Sequence, residues 1–134
     1  MADGGTKEHL AEERTDLAED RTILANERTY AGWMRTGLAA VGVGVGFNAL
    51  FSTLEPAWIP KAIATLLLLT AIFIFVAAER RACAIIARLH THEVETVRIR
   101  NLRLITAALI VATIGLIAAF WLLEMKAGAA AGGA

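Results

Sequence analysis

One cysteine and two prolines are all that the chain has of either residue. Cys83 alone can form no internal disulfide, and no CxxC pair exists to hold a metal or run a redox couple. It reads as a small packing residue near a membrane boundary. Both prolines, Pro56 and Pro60, fall in one short turn, so nothing breaks a helical pattern between Glu8 and Leu54. Net charge is missing as well. Thirteen basic side chains balance thirteen acidic ones, which argues against general nucleic-acid binding. Residues 1–30 are polar and hold no apolar core ahead of a cleavage site, so no secretory leader is expected. No serine, cysteine or carboxylate pair stands at a spacing that joins a nucleophile to a base. No enzyme activity and no cofactor are expected.

Charge is absent altogether from three stretches, residues 36–54, 62–78 and 104–123, in a chain that is 57% hydrophobic. Each approaches the roughly 20 residues that cross about 30 Å of hydrocarbon. A soluble bundle would need a polar face on every helix, and those faces are missing. The sequence therefore predicts an all-α protein with three transmembrane helices, spanning residues 34–54, 58–78 and 103–123. Residues 1–7 are expected to fray, and the alanine–glycine tail, residues 127–134, to be disordered, leaving one membrane domain over residues 8–126. Tyr30 and Trp33 lie where an interfacial aromatic belt is expected, and Trp58 marks the far interface. Gly42 and Gly46 form a GxxxG pair, which lets another helix approach closely in lipid. The run from Gly42 to Gly46 follows no strand, so it is not a nucleotide loop.

Before the first span comes the strongest pattern in the chain. In sevens from Glu13 it reads ERTDLAE, DRTILAN, ERTYAGW, MRTGLAA. Arginine recurs at Arg14, Arg21, Arg28 and Arg35, each followed by threonine, and Glu13, Asp20 and Glu27 precede the first three. A seven-residue period keeps each residue type near one helix face, drifting only about 20° per repeat. The arginine column lies about 60° from Leu17 and Leu24. A helix with that pattern is expected to make contacts along the stripe. The threonine column at 15, 22, 29 and 36 reads as a packing or backbone-bonding device.

Basic residues also set the orientation. The N-terminal arm and the hairpin carrying Arg80, Arg81, Arg88, Arg98, Arg100 and Arg103 are rich in them, whereas the opposite side holds only Lys61 and Lys126. The positive-inside rule places the N-terminus and the hairpin in the cytoplasm and the C-terminus outside, in a bacterial-type inner (plasma) membrane. His90, His92 and Glu93 do not make a metal set. Histidines two apart on a helix face different ways, and a surface turn near Thr91 is expected there.

The sequence Asn26-Glu27-Arg28-Thr29, followed by Trp33, Arg35 and Thr36 and preceded by Asp20-Arg21-Thr22, resembles the signature of the YidH-like family. These are small three-helix inner-membrane proteins, and the likeness reaches from about Arg14 to Leu123. The same domain is similar to the membrane part of the vacuolar transporter chaperone complex, which makes polyphosphate and passes it across a membrane. That resemblance implies assembly around a central path lined by basic residues from all three helices. The matching positions are Arg21 and Arg28 with Glu27 as acidic partner, then Arg80 or Arg81, and Arg98 or Arg103. The polymerase and phosphate-sensing domains of that complex have no counterpart here.

Two readings of the stripe stand side by side. In one, arginines in a homo-oligomer of about three to six chains, about five by the resemblance, offer their planar forks to an anion such as phosphate or polyphosphate. In the other they meet acids such as Asp20 and Glu27 on neighbouring copies, and the protein is a non-conducting scaffold or accessory subunit. Arg35, just inside the aromatic boundary, must snorkel or pair. Contact of Arg80, Arg81, Arg98 and Arg103 with anionic membrane lipid, about 1 kcal/mol per charge, also accounts for their position.

Overall fold

The computed structural model describes residues 2–88 and 94–131. They form three helices in succession, α1 (Ala2–Phe51), α2 (Trp58–Ile86) and α3 (Val94–Ala131), with no strand among the described residues. The fold is all-α, and each helix is long and apolar enough to cross a membrane. The turn expected around Thr91, with His90, His92 and Glu93, lies outside the described residues.

The length of α1 follows from what its sequence lacks. With no proline and no left-handed glycine, its 50 residues continue as one helix. At about 1.5 Å per residue it is about 75 Å long, more than twice the thickness of the hydrocarbon layer. It begins at Ala2, ahead of the Glu8 start read from the sequence, and α3 likewise continues to Ala131. Alanine is the best helix former, which suits the C-terminal extension. The α1–α2 turn closes with Leu54 N–H donating to the Phe51 carbonyl at 3.1 Å and Ile59 N–H donating to that of Pro56 at 3.1 Å. Pro60 sits in the first turn of α2, where a missing N–H breaks no intrahelical bond.

Packing follows a spacing of threes and fours. On α1 the buried positions are Asn26, Tyr30, Met34, Gly37 and Gly44. On α2 they are Pro60, Ala64, Leu68, Ala71, Phe75, Ala78, Ala82 and Ile86. On α3, Thr106 and Thr113 are buried, with Leu102 and Leu109 partly covered. Steps of mostly three and four residues put each set on one face of its helix. The second helix runs back along the first and lies between α1 and α3. Small residues bring the backbones together, as lipid-embedded helices require. A Cβ on Gly37 would run into the Phe75 ring, and one on Gly44 would meet the Ala64 carbonyl oxygen at 3.3 Å and Leu67 Cβ at 3.3 Å.

The outer surface of the spans is apolar. Phe73 is 72% exposed while Phe75, two residues on, is fully buried. In water a row that includes Phe73, Leu66, Val111 and Leu122 would be costly, whereas in hydrocarbon it is solvated. These are helices apolar all round, with lipid as their outer solvent.

Candidate functional site

Three polar side chains, Asn26, Tyr30 and Thr106, tie the three helices together. Asn26 is buried and donates through Nδ2 to the Ala82 carbonyl of α2 at 3.3 Å. One turn later, Tyr30 Oη reaches α3, 2.9 Å from Thr106 Oγ1 and 3.4 Å from the Leu102 carbonyl oxygen. If Tyr30 donates to the carbonyl, Thr106 donates to Tyr30, and all three groups are satisfied. Tyr30 is therefore a junction residue whose ring packs inside the bundle, while Trp33 remains partly exposed. Neither Asn26 nor Tyr30 is marked by residue type as a contact between helices. Their signal was the seam Asn26, Tyr30, Met34, Gly37, Val41, Gly44, masked by the louder arginine–threonine repeat on other faces.

The junction fixes where the arginine column points. Arg28 precedes Tyr30 by two residues, as Arg35 precedes Gly37, so the column is roughly 160° around the helix from the α2-facing seam. Arg14, Arg21, Arg28 and Arg35 are all exposed, and none is in an ion pair among the described residues. Arg14 and Arg21 border a shallow groove with Leu17 and Ala18. A second groove further along the same side is lined by Thr29, Gly32, Trp33 and Thr36. Asp20 is exposed and Glu27 half-buried, on a column about 100° from the arginines. The acids are thus displaced toward the α2 side of α1.

Each threonine of the repeat spends its hydroxyl on its own helix. Thr15, Thr22 and Thr29 donate to the carbonyls of Ala11, Ala18 and Ala25 at 3.0 Å, and Thr36 to that of Gly32 at 3.1 Å. This is the back-bonding expected of threonine inside a helix.

The second basic cluster is differently disposed. Arg80 and Arg81 are exposed at the end of α2. Arg103 Nε lies 3.5 Å from Glu79 Oε1, an α3-to-α2 ion pair whose arginine is 66% exposed. At that exposure the pair contributes at most about 1 kcal/mol. Arg103 also borders a shallow groove with Ile99, Arg100, Leu104 and Ala107. The side chain of Arg98 lies outside the described residues. Within one chain, then, Arg14 and Arg21 border a different groove from Arg100 and Arg103. Gly42 and Gly46 face open space, with nothing within 4 Å of an added Cβ, so the intramolecular contacts use Gly37 and Gly44 instead. Cys83 is half-buried on α2.

The family described as Domain of unknown function (DUF202) matches residues 21–88. The chain belongs to that family. DUF202 members are small multi-helix membrane proteins, and the YidH-like resemblance is in keeping with it. The match takes in the repeat from Arg21, the Asn26–Tyr30 junction and all of α2, and stops short of α3. This DUF202 protein is accordingly an integral, multi-pass membrane protein. No curated protein and no solved structure matches the chain.

Proposed function

We propose that this DUF202 protein is a homo-oligomer of a bacterial-type inner membrane in which α1 arginines line a path or pocket for an anion, phosphate or a phosphate polymer being the chemistry they suit. The supporting observation is the disposition of the arginine column. Four arginines lie along about 30 Å of α1 on the face turned away from α2, all exposed and with no ion pair among the described residues. A copy related by rotation about an axis on that side would bring Arg21 and Arg28 of each chain toward the others. Guanidinium groups bind oxyanions in bidentate fashion and stay charged, so such a ring would attract anions at any physiological pH. Positive-inside bias puts the N-terminus in the cytoplasm and the C-terminus outside, so the ring would open toward the cytoplasm.

The alternative, a non-conducting scaffold, draws on Arg103, which already meets Glu79 and shows how a basic residue of this chain is used structurally. The two readings separate in liposomes. The anion reading expects Arg21→Ala with Arg28→Ala to keep the oligomer's mass while phosphate or polyphosphate flux or binding is lost. Collapse of that variant to monomers, with no flux or binding by the unaltered protein, would establish the scaffold instead.

A further inference from the structure

We infer that α1 pairs in parallel with α1 of a second copy along its threonine–alanine columns, and that Arg14 of one copy meets Glu19 of the next. This deepens the homo-oligomeric reading above and rests on it. The first evidence is the unaccompanied length of the helix. From Gly4 to Glu19 every described side chain of α1 is exposed or nearly so, and α2 and α3 first bury a residue at Asn26. A strict seven-residue repeat has no advantage on a lone straight helix, whose period is 3.6 residues. It keeps a seam facing a partner only where helices supercoil.

Thr15, Thr22, Thr29 and Thr36 then occupy one core position of the heptad, and Ala11, Ala18, Ala25 and Gly32 the other. All eight are exposed, on the side of α1 away from its contact with α2. The hydroxyls are already satisfied by their own helix at 3.0–3.1 Å. What the column offers a neighbour is therefore methyl groups and small side chains, which permit close approach.

Charge complementarity names the occupant. In this register Arg14 and Arg21 flank one side of the seam, and Glu12 and Glu19 the other. In a parallel pair the flank of one heptad faces the opposite flank of the partner's next heptad, five residues on, so Arg14 faces Glu19. An antiparallel pair would set arginine against arginine and glutamate against glutamate. Copies inserted in a membrane with one orientation are parallel. Further along, the residues facing Arg21 and Arg28 are Asn26, which already donates to the Ala82 carbonyl, and Trp33. The same register thus clamps the outer end of the stripe and leaves Arg21 and Arg28 with no acid opposite them.

Oxidative cross-linking in native membranes tests this in a Cys83→Ser background. Ala18→Cys, on the seam, should form a disulfide-linked dimer at least about ten times faster than Asp20→Cys, on the far side of the helix. Arg14→Glu should slow the Ala18→Cys reaction, and adding Glu19→Arg should restore it. Equal rates at the two cysteines, or no rescue by the reversed pair, would overturn the pairing. Cross-linking requires no anion. Fast, rescued cross-linking in a protein that binds no phosphate would therefore defeat the anion reading while upholding the seam, and anion binding without cross-linking would do the reverse.

Discussion

Gly37 and Gly42 lie five residues apart in one span, and replacing each by alanine should have opposite consequences. At Gly37 the new methyl would collide with the Phe75 ring, whose Cδ1 atom would stand 2.8 Å away and Cζ 3.0 Å away. Phe75 is fully buried between the helices, so the ring cannot swing out into lipid. Inserting one methyl group into a closed contact of this kind typically costs about 1–3 kcal/mol. At Gly42 nothing lies within 4 Å of the added carbon, and alanine is the better helix former by about 1 kcal/mol. Equilibrium unfolding in mixed detergent micelles, at a concentration where the protein is monomeric, should thus rank Gly42→Ala at or above the unaltered chain. Gly37→Ala makes the same helix gain, so its net loss is smaller, up to about 2 kcal/mol, and it should rank below both. Phe75→Leu removes the offending ring edge, so the pair Gly37→Ala with Phe75→Leu should be more stable than the two single losses sum to, with a coupling of about 1 kcal/mol or more. Equal stability of the two alanine variants, or strict additivity in the cycle, would refute the α1–α2 register described above.

Two further outcomes follow from the junction and the charge bias. Tyr30→Phe removes the hydroxyl bonded to Thr106 and should lower stability by about 1 kcal/mol, whereas Trp33→Phe should change it by less than about 0.5 kcal/mol; thermal unfolding in micelles compares them directly. A membrane-impermeant thiol reagent applied to intact cells should label Lys126→Cys and spare Lys7→Cys, both in a Cys83→Ser background, and the opposite labelling would invert the orientation.

Much of the architecture was legible because it rests on presence or absence of charge. Three charge-free stretches gave three helices, and the lack of proline before Leu54 gave one unbroken α1. The threonine column reads as a backbone-bonding or packing device, and its hydroxyls do bond the backbone. Harder to read was which face of α1 turns inward. Two heptad patterns share that helix, and the polar one is the more conspicuous. Tyr30, with an apolar ring and a polar tip, suits either an interface or a buried hydroxyl pair, and only the position of Thr106 on α3 decides it. The glycines posed the same difficulty. Gly42, Gly44 and Gly46 alternate along one run, and two-residue steps on a helix send them to different faces. The spacing alone marks Gly42 and Gly46 as a motif, while the contact with α2 falls to Gly44 and Gly37.

In the proposed oligomer the α1 arginines share a basic aqueous environment with those of other copies. That environment is tested most directly by charge-selective modification of Arg28→Cys, in a Cys83→Ser background and in reconstituted membranes. Rates with an anionic and a cationic thiol reagent of similar size are each divided by the rate with a free thiol. Flanked by Arg21 and Arg35 of several chains, the cysteine should favour the anionic reagent by about tenfold or more, a preference that falls as salt is raised. A normalised ratio near one, unchanged when Arg21 and Arg35 are also replaced by alanine, would rule that shared environment out.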